Sequence, residues 1–156
     1  NENIAFAKSD ATEDEIRNTA KMAQAEDFIE RLEDKYETII GERGVGLSGG
    51  QKQRLSLARA MIKDVPIFIL DDVTSAVDME TEKKIQEELK TIKDKKTNFI
   101  IAHRISSLKH SDLILVLNEG EVIERGSHEE LLEMKGYYYR IFETQYGDFS
   151  KEKEVV

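Results

Sequence analysis

The chain has 156 residues and no cysteine. That excludes a disulfide scaffold, a thiolate metal site and a cysteine nucleophile. It has one proline, Pro66, so only one position carries a fixed helix stop. It has no long apolar run. The longest, residues 113–117, is five residues, far short of the roughly 18 to 20 that a membrane-crossing helix needs. No signal-peptide pattern is visible. Bases are outnumbered, 23 against 32 acids, for a net charge of -9. That balance argues against a general nucleic-acid binder. The first residue is Asn1 rather than methionine, and an apolar and acidic segment follows at once. The chain therefore reads as part of something longer.

What is present suffices for a core. Hydrophobic residues make up 39% and charged residues 35%, outside the range of a disordered chain. The length fits one domain of ordinary size or a large piece of one. Charge is unevenly spread. Residues 1–38 carry a net -6, whereas residues 41–63 carry +4 from Arg43, Lys52, Arg54, Arg59 and Lys63 against Glu42. Such an island is either a solvated helix face or an anion site.

Local patterns mark out the elements. Thr12 and Glu15 have the form of a capping box, and Ile16, Ala20 and Ala23 follow at helical spacing. Phe28 and Leu32 suggest a second short helix. Residues 38–50 are loop-like, with Gly41, Gly44, Gly46, Gly49 and Gly50. A helix is expected over residues 50–63, ended where Pro66 disfavours helix at Val65. Residues 67–70 are an unbroken apolar run, as in a strand buried on both faces. Helix is expected again over 77–93, with Ile85, Leu89 and Ile92 on one face. Strands are expected over 98–102 and 113–117. A hairpin turn at Asn118, Glu119 and Gly120 leads into a strand over 121–125. Ser127 and Glu130 form another capping box, Gly136 breaks that helix, and Tyr138, Ile141 and Phe142 line a last one. No repeat or low-complexity stretch interrupts the chain.

The order is helical over residues 1–66, then alternating strand and helix over 67–146, then a frayed tail over 147–156. Alternation with apolar strands implies an α/β fold, a parallel sheet with helices on both faces. Ligands of such sheets lie beyond the carboxyl ends of the strands. There the sequence has Asp71 and Asp72 after one strand, and His103 and Arg104 after the next. Adjacent aspartates at a buried strand end need a cation or hydrogen-bond donors. They suit either Mg²⁺, which keeps waters and shares phosphate ligands, or the capping of a following helix. His103 alone says less, since a histidine at a strand end is more often simply a satisfied polar residue.

The glycine loop says more. Ser48, Gly49, Gly50 and Gln51 open a helix with no acid between Arg43 and Lys63. A helix N-terminus offers unpaired N–H groups and a positive dipole end, and glycines let a phosphate approach them. The plainer alternative is a Gly-rich turn with Ser48 as N-cap.

The stretch from Leu47 through Ser48, Gly49, Gly50, Gln51, Lys52, Gln53 and Arg54 to Ala60 closely resembles the signature motif of ABC-type ATPases. Residues 67–71 resemble their Walker B strand, residues 75–78 their D-loop, and His103 stands where the switch histidine would be. Gly120 to Gly126 and Ser127 to Leu131 follow the family's C-terminal pattern. Four motifs in order and spacing, over about residues 2–146, make the resemblance specific. The loop at Thr38, Gly41, Glu42, Arg43 and Gly44 looks like the one that touches the coupling helices of the membrane domain in exporters.

The resemblance implies a P-loop NTPase-like fold and a head-to-tail dimer of two nucleotide-binding domains around ATP and Mg²⁺. Ser48, Gly49, Gly50 and Gln51 would close over ATP held by the partner. Asp71 would hold Mg²⁺ through water, His103 would contact the γ-phosphate, and Asp78 would cross the dimer interface. The parent would be an ATP-hydrolysing exporter at the cytoplasmic face of the membrane.

Two departures stand out. No G-x-x-x-x-G-K-[ST] P-loop occurs in the 156 residues, so this chain alone is expected to hold ATP poorly and to be inactive. And Asp72 stands where the family has glutamate, the residue that orients the attacking water. Its reach is one methylene shorter, while its reference pKa of about 3.9 barely differs from about 4.3 for glutamate. This resembles the degenerate half of heterodimeric exporters; a homodimer tolerating aspartate is the alternative. Among other classes, DNA-repair or chromosome-type ABC ATPases carry long coiled coils, and none is seen. A phospho-receiver domain also uses acidic pairs at strand ends, but does not account for Leu47 to Gln51 or Asp78. A non-catalytic interaction module is the third.

Overall fold

The structure is a computed structural model that describes residues 1–93 and 96–147. Its helices are α1 (Glu2–Ala5), α2 (Glu13–Met22), α3 (Glu26–Ile29), α4 (Gly49–Met61), α5 (Met79–Lys93), α6 (His128–Met134) and α7 (Tyr137–Tyr146). Its strands are β1 (Ile67–Asp71), β2 (Thr97–Ile101), β3 (Ile114–Asn118) and β4 (Glu121–Gly126). Short 3-10 turns occupy Lys35–Glu37, Glu42–Gly44 and Ile105–Ser107. The frayed tail expected over 147–156 lies outside the described residues except for Gly147. None of the described helices is long and apolar enough to cross a membrane.

Packing divides the chain into two units, Asn1–Ile101 and Ala102–Val156. That division follows which residues pack together. The division at residue 66 expected from sequence follows a change in element type, and is a different cut.

In the first unit β1 and β2 pair in parallel, Ile69 opposite Phe99 and Asp71 opposite Ile101. Phe68 and Leu70 point into a core shared with Leu57 of α4 and with Ile85 and Leu89 of α5; the side chain of Ile92 is outside the description. The small parallel sheet and the α/β class expected from sequence are both present. Cover on both faces is not, among the described residues. Ile67, Ile69, Phe99 and Ile101 are 55%, 71%, 55% and 53% exposed. Side chains alternate along a strand, so an unbroken apolar run supplies two apolar faces, and helices of this unit cover only one.

The second unit is an antiparallel hairpin with α6 and α7. Glu119 and Gly120, with φ 51° and 85°, turn β3 into β4, as a two-residue hairpin with both central residues left-handed requires. Ile114, Val116, Leu131 and Tyr138 form its core. The Glu124 carboxylate on β4 accepts the N–H groups of Tyr137 and Tyr138, the latter at 2.9 Å, and so caps α7. A side chain at Gly136 would overlap that carboxylate. Burial pushes the Tyr138 hydroxyl up to about 12. Its oxygen lies 2.8 Å from His128 Nδ1.

Helix starts follow the sequence signals. Thr12 and Ser127 each close the capping box expected from a Glu three residues on, and Ser48, read from sequence only as an N-cap, closes a third with Gln51. At α5, Asp78 Oδ1 accepts the Thr81 N–H at 2.9 Å and Oδ2 accepts the Thr81 hydroxyl at 2.8 Å. These bonds, the backbone one foremost, hold the Asp78 carboxyl below its ordinary value.

Two outcomes follow. Leu57→Ala empties a site 1% exposed and should cost about 2–5 kcal/mol in urea denaturation, against less than about 1 kcal/mol for Ile69→Ala; equal costs would mean that the outer sheet face is closed. Because Asp78 is depressed in the folded state, its cap contributes above the unfolded pKa of about 3.9 and is lost as pH falls through the lower folded value. Asp78→Ala should therefore destabilise at neutral pH, with the difference from the parent chain shrinking below about pH 4. A difference constant with pH would contradict this.

Candidate nucleotide site

The glycine loop becomes the first turn of α4. Gln51 N–H donates to Ser48 Oγ at 3.3 Å, and Ser48 N–H donates to Gln51 Oε1 at 2.8 Å. Ser48 is thus an N-cap, as the plainer reading had it. The cap uses the hydroxyl as an acceptor and leaves it able to donate. Ser48 and Gly49 are exposed, and the first turn holds no acid. A 13-residue helix thereby presents the unpaired N–H groups and positive dipole end of its N-terminus to solvent.

Two bases of the basic island, Arg54 and Arg59, turn away from that start. The Arg54 guanidinium turns inward, donating to Gln24 O at 2.7 Å and lying 5.0 Å over the Phe28 ring. Burial pushes its pKa down. Arg59 donates to Asn3 Oδ1 at 3.0 Å. Lys52 lies over Gly44, where an added Cβ would come within 3.0 Å of its Cε. Two of the five bases therefore serve packing, and only part of the net +4 acts on the helix start.

Asp71 ends β1 and belongs to its open, apolar face. Asp72 follows with φ 48°, a left-handed conformation that aspartate tolerates better than most residues. Its N–H donates to Ile101 O at 2.8 Å, so parallel pairing continues one residue past the strand and fixes the carbonyl that follows.

That carbonyl is held by a residue the sequence analysis gave no role. Gln53 Nε2 donates to Asp72 O at 3.2 Å and to Ser75 Oγ at 2.9 Å. Its Oε1 accepts the Ala76 N–H at 2.9 Å. Ser75 Oγ also donates to Asp72 O at 3.2 Å. Beside this, a Cβ at Gly50 would lie 2.6 Å from Ala76 O. Helix start and turn are in backbone contact that only glycine permits. The sequence does carry a signal for Gln53: it stands one turn before Leu57, on the side of α4 that faces the core, where a polar group must find partners.

His103 lies in the second unit and is exposed. Its carbonyl accepts from Gln145 Nε2 at 2.6 Å, while Gln145 Oε1 accepts the Ile105 N–H at 2.9 Å. One α7 side chain thus brackets Arg104, another contact not foreseen from sequence. In the first unit, Gly50, Asp72 and the turn leading to Asp78 are assembled around Gln53. Asp71 and Asp72 are the carboxylates at the β1 end, a donor type that suits a hard cation. No three His, Asp or Glu side chains cluster as a metal site among the described residues. One carboxylate still fits Mg²⁺ when phosphate and water complete its shell.

The model of the ABC transporter family matches residues 2–75. An ABC transporter ATP-binding protein of Bacillus subtilis, YknU, is 56% identical over 94% of this chain and 25% of its own length. The ATP-dependent lipid A-core flippase of Legionella pneumophila is 47% identical over 99% of this chain and 26% of its own. A bacterial Atm1-family ABC exporter solved with ATP bound superposes with a TM-score of 0.90 at 41% identity, over 94% of this chain and 26% of that one. The chain spans about a quarter of the length of these relatives. Sequence motifs, the α4 start and the similarity to these relatives all converge, and the chain belongs to the ABC transporter family, in its ATP-binding domain.

Proposed function

We propose that this chain is part of the ATP-hydrolysing domain of an ABC exporter, contributing the half of an ATP site that closes over nucleotide held by a partner domain. The observation that carries the reading is the exposed, acid-free start of α4, held against the turn that follows β1. Ser48 donates its hydroxyl, Gly49 and Gly50 donate backbone N–H groups, and Gln51 donates through its amide nitrogen to phosphate oxygens in the partner's cradle. Such donors, fixed before the reaction, stabilise charge with little reorganisation.

Toward its own side of the dimer the chain offers Asp71, which would hold Mg²⁺ through water; the cation supplies charge neutralisation at the phosphates. Asp72 orients the attacking water, His103 contacts the γ-phosphate, and Asp78 reaches the dimer interface while capping α5. The loop at Thr38, Gly41, Glu42, Arg43 and Gly44 contacts the coupling helices of a membrane domain. The 93% exposure of Ile39 supports it as an apolar contact there. This sets the chain at the cytoplasmic face of the membrane.

Asp72 makes this chain's own site the slower one of a heterodimer. Its carboxylate stands back by one methylene, and a displacement near 1 Å in a positioned group costs about 10²-fold. In the full-length complex Asp72→Glu should raise ATP hydrolysis, measured by phosphate release, and an unchanged rate would defeat the reach argument. Ser48→Arg should remove most of the complex's turnover, because it obstructs the competent site; a complex with undiminished turnover would refute the role given to the α4 start.

A further inference from the structure

The ring of hydrogen bonds around Gln53 asks for a role beyond packing. Its amide meets three groups of one turn: Asp72 O at 3.2 Å, Ser75 Oγ at 2.9 Å and Ala76 N at 2.9 Å. The turn begins at a left-handed aspartate, φ 48°. Such a backbone persists when its surroundings over-determine it. Three things do so here: the Ile101 carbonyl on the Asp72 N–H, the Gln53 amide on the Asp72 carbonyl, and the Gly50 to Ala76 approach. The first comes from the sheet. The other two come from α4, whose N-terminus faces the opposite nucleotide in the proposed dimer.

We propose that Gln53 is a positioning residue: through the Asp72 carbonyl and the 72–76 turn it sets the Asp72 carboxylate, and it ties that carboxylate to the helix that closes over the partner's ATP. The proposal rests on the functional reading above. Gln53 touches neither nucleotide in that reading. It fixes where Asp72 stands in one site according to where α4 stands in the other. Movement of α4 on closure then carries the 72–76 turn with it, because the three Gln53 bonds and the Gly50 to Ala76 contact both tie that turn to α4.

The test is a cycle of Gln53→Met and Asp72→Glu in the full-length complex, reading kcat and KM for MgATP. Gln53→Met should lower kcat by about 10-fold or more while KM stays within about 3-fold, since a misplaced group slows the chemical step rather than binding. The gain from Asp72→Glu should vanish in the Gln53→Met background. If Gln53 serves packing alone, the two effects are independent and the same fold-gain survives, which overturns the proposal. Should Gln53→Met fail to fold, Gln53→Glu carries the same comparison, because it keeps the acceptor for the Ala76 N–H and loses both donors. If Asp72→Glu brings no gain in the parent, the reach argument fails, and Gln53 is judged on kcat alone, an unchanged value overturning its role. A complex that hydrolyses no MgATP overturns the proposed function and this proposal with it. An active complex indifferent to Gln53 overturns this proposal only.

Discussion

Everything at the candidate site depends on how closely α4 approaches the turn after β1. Gly50 has no Cβ, and the Ala76 carbonyl occupies the space one would need. That contact brings a helix start and a strand end, each an ordinary ligand-binding feature alone, into one rigid body. The polar groups of that turn are partly buried or exposed, and pairing them fixes the turn against α4. Gln53 makes three of those bonds with one side chain. The same junction determines which parts of the glycine stretch stay open: Ser48 and Gly49 face solvent, while Gly50 faces the turn.

Electrostatics plays a smaller part than the charge pattern suggests. Arg54 and Arg59 are taken up by Gln24 and Asn3, so they anchor α4 to the helices before it rather than forming a cationic pocket. The α4 start itself offers an anion unpaired N–H groups, a dipole equivalent to roughly half a positive charge, and a serine able to donate. A site built from backbone donors needs a precise helix position more than a high local charge, and the α4 junction supplies that position.

Much of this was legible in the sequence because it is local. The capping boxes at Thr12 and Ser127 need only a partner three residues on, and both form. The Glu119 and Gly120 turn and the Pro66 stop are likewise local. The α/β class followed from apolar runs alternating with helical periods. Three things were not legible, each because it is decided across space. An apolar run cannot say how many of its faces this chain covers, so the open side of Ile67, Ile69, Phe99 and Ile101 was missed. A basic residue does not announce whether it faces solvent or a carbonyl, so Arg54 was counted toward an anion site. Gln53 and Gln145 act on backbone 19 to 42 residues away in sequence; Gln53 left a trace as a polar residue one turn before Leu57, and the exposed Gln145 left none. The motif residues themselves were found by resemblance. The structure adds which of them share a packing unit: the α4 start, Asp72 and Asp78, with His103 described in the second unit.

The central claim is that this chain closes over ATP held elsewhere and does not cradle it. Titration calorimetry of the chain alone with MgATP is the most direct measurement. The account predicts no binding at micromolar nucleotide, because the helix start, Asp71 and His103 lack a phosphate cradle among these 156 residues. Saturable binding with a micromolar Kd would contradict it.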